Sequence, residues 1–177
     1  MSFSKSTSWP HVALGVLALL ALLPLSVARA ADPLPEPKGP VILLVTGNIG
    51  VSNTPEGAAF DRDMLIELGL SEVQTSTPWT DGVQLFEGVL ARAVVERVEA
   101  AGTLVKAAAL NDYTVELPLD DFLNNDVLLA LSMNGEEMHV SDKGPIWIIY
   151  PRDDVPEFQN RKLNDRWVWQ LKSLAVQ

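Results

Sequence analysis

Short strand-like segments limit the possible folds of this chain more than any other feature of the sequence. Val73, Thr75, Thr77 and Trp79 occupy alternate positions, and Asp81-Gly82 then leads into a second apolar run over residues 83–87. Alternation with a period of two is typical of a half-buried strand, and a turn dipeptide between two such runs predicts a hairpin. The same reasoning predicts further strands over residues 41–45, 103–110, 113–117, 127–133, 138–140, 146–150 and 167–176.

Two stretches have the pattern of a helix. Phe60-Asp61 opens the first, where Asp61 can cap the free backbone amides, Phe60 can pack onto Leu65, and Gly69 can close the end. In the second, Leu90, Val94 and Val98 recur every four residues before Gly102. Residues 118–122 can add one short helical turn, and residues 48–57 are rich in turn formers. Because the strands cluster instead of alternating with helices, we predict an α+β fold and not a doubly wound sheet.

The first 30 residues have the features of a secretory signal peptide. Lys5 precedes an apolar run over residues 12–23, Pro24 interrupts it, and Ala28-Arg29-Ala30 resembles a cleavage site. The alternative is a retained membrane anchor, but the run is shorter than the roughly 20 residues that span a bilayer. We therefore predict a signal peptide over residues 1–30, a Pro-rich arm over 31–40 and one domain over 41–177, located in the periplasm or secreted.

Charge and cysteine content exclude several classes of protein. The formal net charge is −10, which argues against nucleic acid as a partner and against a membrane surface once the signal is removed. The chain has no Cys, so it forms no disulfides and offers no thiolate to a metal.

Several phrases in order resemble the molybdopterin-binding domain of the sulfite oxidase family. They are LFEGVL at 85–90, LNDYTVELPL at 110–119, DVLLALSMNGE at 126–136, KGPIWIIYP at 143–151 and WQLKSL at 169–174. The resemblance implies mixed sheets of short strands with a few helices, and a molybdopterin cofactor.

The sequence also departs from that family. The resemblance implies a molybdenum ligand, one Cys thiolate, on the strand at residues 73–79, where this chain has Ser76 and Thr77. A hydroxyl does not replace a thiolate as a soft ligand. Lys143 stands in the segment where the family has a His, and Arg152-Asp153-Asp154 replaces a Gly-rich turn. Ordinary sulfite oxidation is therefore not expected.

Basic residues cluster near the end of this acidic chain, as Lys143, Arg152, Arg161, Lys162, Arg166 and Lys172. Arg offers a planar fork suited to phosphate or carboxylate, so the cluster indicates an anion site, with ordinary surface ion pairs as the alternative. Trp79 could stack on a flat ligand at the pocket mouth, although all the tryptophans after residue 30 could instead fill the core. The candidate residues for binding a cofactor or anion are Ser76, Thr77, Trp79, Asn111, Lys143, Arg152, Asp153, Arg161 and Arg166.

Other chemistry-bearing residues give weaker signals. The acidic pairs Asp120-Asp121 and Glu136-Glu137 are typical of solvated surface, since adjacent strand residues point to opposite faces. His139 is the single His after residue 30, and zinc needs three or four ligands.

Three functions remain open on the sequence. One is an exported molybdopterin-dependent oxidoreductase with an atypical metal site. The second is a non-catalytic periplasmic module that binds a small anion or a partner protein, and the absence of Cys favours it. The third is an accessory subunit of a membrane sensor. No cofactor is certain, molybdopterin being the one that the resemblance implies.

Overall fold

In the computed structural model, the described residues form two five-stranded sheets, three short α-helices and two 3₁₀ helices. The chain divides into two units, Met1–Ala30 and Ala31–Gln177. The structure describes residues 1–2 and 33–177, so the predicted signal peptide lies almost wholly outside the described residues. Within the described residues, no helix is long and apolar enough to cross a membrane.

The first sheet is built around the last strand of the chain. Its strands are β1 (Leu43–Gly47), β2 (Ala58–Phe60), β5 (Leu104–Ala109), β6 (Thr114–Pro118) and β10 (Leu171–Val176), in the order β2-β1-β10-β5-β6. β1 pairs with β10 in parallel, while the other three pairings are antiparallel. The sheet is therefore mixed, and β10 alone connects its two halves.

The second sheet is antiparallel throughout. Its strands are β3 (Leu70–Ser76), β4 (Val83–Leu90), β7 (Leu128–Met133), β8 (Glu136–Glu137) and β9 (Trp147–Ile149). β4 lies between β3 and β7, and β8 and β9 pair with different parts of β7. The Ile148 amide donates to the Val168 carbonyl and the Leu171 amide to the Ile146 carbonyl, so hydrogen bonds tie β9 to the segment that leads into β10.

Three helices, α1 (Arg62–Glu67), α2 (Ala91–Arg97) and α3 (Leu119–Asn124), cover the sheets, and two 3₁₀ helices follow at Pro156–Gln159 and Arg161–Arg166. α3 packs on β5 and β6, and α2 contacts α3 and β4. Side chains from both sheets and all three helices share one hydrophobic core. Strands outnumber helices, all but β10 follow one another in pairs or longer runs, and they pair mostly antiparallel, which confirms the predicted α+β class.

Most predicted elements are present with shifted ends. Asp61 caps α1 as expected, because its Oδ1 accepts a hydrogen bond from the Met64 amide at 2.9 Å. Asn134 and Gly135 both have positive φ, 54° and 81°, as the hairpin turn between β7 and β8 requires. α2 ends at Arg97, well before Gly102.

Four details differ from expectation. The short strand β2 occupies residues expected to lie between a loop and a helix. β8 forms at Glu136–Glu137 and not at 138–140, since a two-residue turn pairs the residues next to it first. β9 covers only Trp147–Ile149 of the strand predicted over residues 146–150. β10 begins at Leu171 and not at Trp167, because Gln170 has a φ of 51°, which an extended strand does not allow.

Residues 33–40, the described part of the predicted arm, contain no helix or strand but lie against the domain. Leu34 is buried in the core. The Lys38 and Gly39 amides both donate to Oδ2 of Asp61 at 2.8 Å. The arm is thus fixed by the same carboxylate that caps α1.

Candidate functional site

A cavity of about 350 Å³, hereafter the aromatic cavity, opens where three loops meet. The loop between β3 and β4 supplies Trp79, the turn between β5 and β6 supplies Asn111 and Tyr113, and the segment before β10 supplies Trp167 and Trp169. The remaining lining residues are Ala109, Asn164, Asp165 and Val168. Its size falls within the range of small-molecule sites in proteins.

The position of Trp79 follows from its neighbours. Pro78 has no amide hydrogen, so β3 cannot continue through it, and the predicted strand to Trp79 stops at Ser76. The Oγ1 of Thr77 accepts a hydrogen bond from the Trp79 amide at 3.0 Å and lies 2.9 Å from Oγ1 of Thr80. The Trp79 ring is 48% exposed and meets the Trp169 ring edge-on, with centroids 5.3 Å apart.

A polar turn between β5 and β6 contributes Asn111 and Tyr113 to the lining of the cavity. The Oδ1 of Asn111 accepts a hydrogen bond from the Tyr113 amide at 3.1 Å, and Asp112 has a φ of 64°. The Tyr113 hydroxyl lies 3.4 Å from the Asp165 carbonyl. Partial burial, with a smaller contribution from the charge of Asp165, raises the pKa of Tyr113. The phenol therefore stays neutral at physiological pH and can donate a hydrogen bond.

Trp167 forms the floor of the cavity and is almost fully buried. Its ring packs against Tyr150 at 4.8 Å, and its carbonyl accepts a hydrogen bond from Nε1 of Trp147 at 3.3 Å. The Trp167 Nε1 has no hydrogen-bond partner among the described residues.

A second polar group, hereafter the Ser76 link, joins the end of β3 to the loop after β9. The Ser76 hydroxyl donates to Oδ1 of Asp153 at 2.6 Å and accepts from Nη1 of Arg152 at 2.8 Å. The Ser76 amide donates to Oδ2 of Asp153 at 2.6 Å, and the Asp153 amide donates to Oγ1 of Thr75 at 3.1 Å. The hydrogen bond from the Ser76 hydroxyl is the main cause of a lowered pKa at Asp153, which keeps that carboxylate charged.

The structure brings the candidate residues together in two groups and leaves the others apart. Trp79 and Asn111 line the aromatic cavity, with Thr77 supporting Trp79, while Ser76, Arg152 and Asp153 form the Ser76 link. Lys143 pairs with Asp142 at 3.1 Å and lies over the Trp147 ring, and Arg166 pairs with Asp121 at 2.5 Å. Arg161 is exposed on the second 3₁₀ helix. No Lys or Arg lines the aromatic cavity.

Sequence reasoning did not place Tyr113, Asp165, Trp167 or Trp169 in a site. The predicted strands over residues 113–117 and 167–176 include Tyr113 and both tryptophans, but β6 begins only at Thr114 and β10 only at Leu171. One feature of the sequence could have indicated the site. Trp167 and Trp169 flank Val168 directly after Asp165 and Arg166, and two such large aromatic residues are unusual in a segment exposed to solvent.

Comparison with known proteins identifies the family. The sequence model of the oxidoreductase molybdopterin-binding domain family matches residues 64–153, about half of the chain. The chain belongs to this family. No curated protein matches the sequence.

The fold is similar to that of a solved structure, the sulfane dehydrogenase SoxCD from Paracoccus pantotrophus. The TM-score is 0.55 with 14% sequence identity over 76% of this chain and 37% of that one. The match confirms a sulfite oxidase-type molybdopterin-domain fold. This chain thus spans little more than a third of the length of the chain that it matches.

The residues present do not fit molybdenum held by a thiolate. The chain has no Cys, and both hydrogen-bonding functions of the Ser76 hydroxyl are already used within the Ser76 link. Among the described residues, no group of three or more His, Asp or Glu could hold a metal. The aromatic cavity is lined by Asp165 and by no Lys or Arg, so it offers no cation that could pair with a pterin phosphate.

Proposed function

We propose that this protein is an exported, non-redox member of the molybdopterin-binding domain family that binds a small planar or compact ligand in the aromatic cavity. The observation that carries the proposal is the lining of that cavity. Three tryptophans and a tyrosine supply apolar ring surface, and Asn111 and Asn164 supply polar groups that can orient a ligand. A mostly apolar pocket with a few polar groups is typical of small-molecule sites.

The Ser76 link supports a non-redox role. In the position where the family resemblance implies a metal-binding thiolate, this chain has a hydroxyl held by a charged pair, Arg152 and Asp153. A carboxylate that stays ionised would repel an oxyanion of molybdenum at that point. Export is supported by the sequence of the first 30 residues.

The test is molybdenum and pterin analysis of the full protein purified from its native compartment, from cells grown with added molybdate. We expect no stoichiometric molybdenum and no stoichiometric pterin. Stoichiometric molybdenum would overturn the non-redox function.

A second candidate function is a pterin-binding member of the family without a thiolate ligand. Family membership over residues 64–153 favours it. The ring system could stack on Trp79, but its phosphate would depend on Arg152 or Arg161, which do not line the cavity. Charge-assisted hydrogen bonds to Arg contribute about 1.5–3 kcal/mol each. Retention of a pterin without metal would establish this candidate.

The binding of a small anion by the basic residues near the end of the chain stays a prediction, as does docking of a periplasmic partner protein. Calorimetry with phosphate and pterin phosphates at two salt concentrations measures the first. Exchange of Arg161 for Ala is the informative variant, because its side chain is exposed and its loss leaves no buried acid unpaired.

A further inference from the structure

The aromatic cavity combines four aromatic rings with one carboxylate. Trp79, Tyr113, Trp167 and Trp169 contribute the rings, and Asp165 is the single Asp or Glu of the lining, which contains no Lys or Arg. Such a lining differs from the basic site that an anionic ligand needs.

The charge distribution of the cavity selects against anions and in favour of cations. The face of an aromatic ring carries partial negative charge, and tryptophan is the most effective ring for attracting a cation. Asp165 adds a carboxylate to the lining, and its charge contributes, after the larger effect of partial burial, to the raised pKa of Tyr113. The chain as a whole is also acidic, with a net charge of −10, which favours the approach of a cation over that of an anion.

The ring geometry suits a compact ligand with several apolar faces. The Trp79 and Trp169 planes meet at 78° with their centroids 5.3 Å apart, so they form two adjoining walls instead of one stack. Tyr113, 45% exposed, adds a third ring from the β5–β6 turn, and Trp167 adds a fourth that is almost fully buried. Walls at right angles contact a tetrahedral ammonium group on more than one side, whereas a parallel pair would select a flat ring.

We propose that the aromatic cavity binds a quaternary or highly alkylated ammonium group, with the cation held by the tryptophan faces and balanced by Asp165. This inference rests on the proposed function, since it specifies the ligand class of the same cavity. The flexible part of such a ligand would extend towards Asn111 and Asn164, whose amides can hydrogen-bond a hydroxyl or carbonyl.

Calorimetry on the full exported protein with a matched pair of ligands tests the ligand class. Choline carries a trimethylammonium group, and 3,3-dimethylbutan-1-ol is its uncharged analogue of nearly identical shape. We expect choline to bind about tenfold more tightly than the neutral alcohol, because cation–π attraction and Asp165 act only on the charged ligand. Raising the salt concentration should weaken choline binding and leave binding of the alcohol unchanged.

Three substitutions assign the interaction to the cavity. Trp79→Ala should weaken choline binding about tenfold, and Trp79→Phe should weaken it less, since a smaller ring face remains. Asp165→Asn should weaken choline binding by several-fold and reduce its salt dependence. Glu157→Gln is the matched control, because it removes one exposed negative charge outside the cavity, and choline binding should be unchanged.

The outcomes separate the ligand class from the proposed function. Equal affinity for choline and the neutral alcohol, or no choline binding at about 10 mM, overturns the ammonium assignment. If an uncharged planar molecule other than a pterin binds under the same conditions, the cavity is a ligand site of a different class and the proposed function stands. Stoichiometric molybdenum in the native protein overturns the proposed function itself.

Discussion

Asp61 connects two separate segments through one carboxylate. Its Oδ1 accepts from the Met64 amide inside the first turn of α1, while its Oδ2 accepts from the Lys38 and Gly39 amides of the arm. Asp61 is only 3% exposed, so water cannot replace these hydrogen-bond partners. The hydrogen bonds, that from Met64 above all, lower the pKa of Asp61 despite its burial.

We expect Asp61→Ala to destabilise the domain by about 2–4 kcal/mol, since it removes a helix cap and leaves two arm amides without an acceptor. Because the folded-state pKa of Asp61 lies below its ordinary value, this stabilisation is complete above the unfolded pKa of about 3.9. It is lost as the pH falls through the folded-state pKa.

Urea denaturation of wild type and Asp61→Ala between neutral pH and acid measures both effects. Asp63→Ala is the control, because Asp63 lies in the same helix turn but is exposed. Equal stability losses for the two variants would contradict the buried role of Asp61.

At single residues, the sequence predicts chemistry better than it predicts partners. Asp61 was identified as a cap from its place before an apolar run, because a cap acts on amides only three residues away. In the Ser76 link, Ser76 contacts Arg152, which is 76 positions further along the chain, and Asp153, which is 77 positions further. No local sequence pattern specifies such a contact. Lys143 and Arg166 look like free cations in the sequence, yet each has an acidic partner in the fold.

Among the secondary-structure elements, β9 depends most on one side chain. Trp147 is fully buried and meets the Phe86 ring of β4 edge-on at 5.5 Å. Its Nε1 donates to the Trp167 carbonyl, which also ties β9 to the floor of the aromatic cavity. An edge strand of three residues has few backbone hydrogen bonds, so this packing fixes its position.

We expect Trp147→Ala to lower the free energy of unfolding by about 3–5 kcal/mol, which is typical when a buried aromatic side chain is truncated. Denaturant melts followed by circular dichroism give the value, and Trp147→Phe should lose less because part of the packing remains. Trp79→Ala is the control, with an expected loss below about 1 kcal/mol for a ring that is half exposed. A loss that small for Trp147→Ala would contradict its burial.

Element types could be predicted from the sequence more reliably than element ends. Alternation along residues 73–76 and the Asn134-Gly135 turn specify strands and a hairpin directly. The ends depend on single backbone positions instead. β3 ends at Ser76 because of Pro78, and β10 begins only after Gln170. As a result, Trp79 and Trp169 lie outside the strands predicted to contain them. The aromatic cavity exists because both tryptophans lie in connecting segments.

For the molecule as a whole, the absence of Cys means that no disulfide contributes to stability. Periplasmic and secreted proteins are commonly stabilised by disulfides, but this chain has no Cys. The core shared by the two sheets and the buried hydrogen bonds of Asp61 therefore carry the stability of the domain.

We expect the exported protein to begin at Ala31 or Asp32, because a cleavage after Ala30 or Ala31 fits the small residues at positions 28 and 30. N-terminal sequencing of protein from the periplasmic fraction gives the answer directly. Full-length protein that begins at Met1 in the membrane fraction would contradict cleavage and would restore the anchor as the explanation.

The pairing of β1 with β10 has a consequence for how the domain is made. The two halves of the first sheet, β1 with β2 and β5 with β6, meet only through a strand at residues 171–176. Synthesis delivers β1 before the other four strands of this sheet, and its parallel neighbour β10 after all of them. Contacts between such distant segments form slowly, because a long loop must close before they stabilise anything. A nascent chain that still lacks residues 171–176 therefore has no complete first sheet, because β1 with β2 and β5 with β6 are joined only through β10.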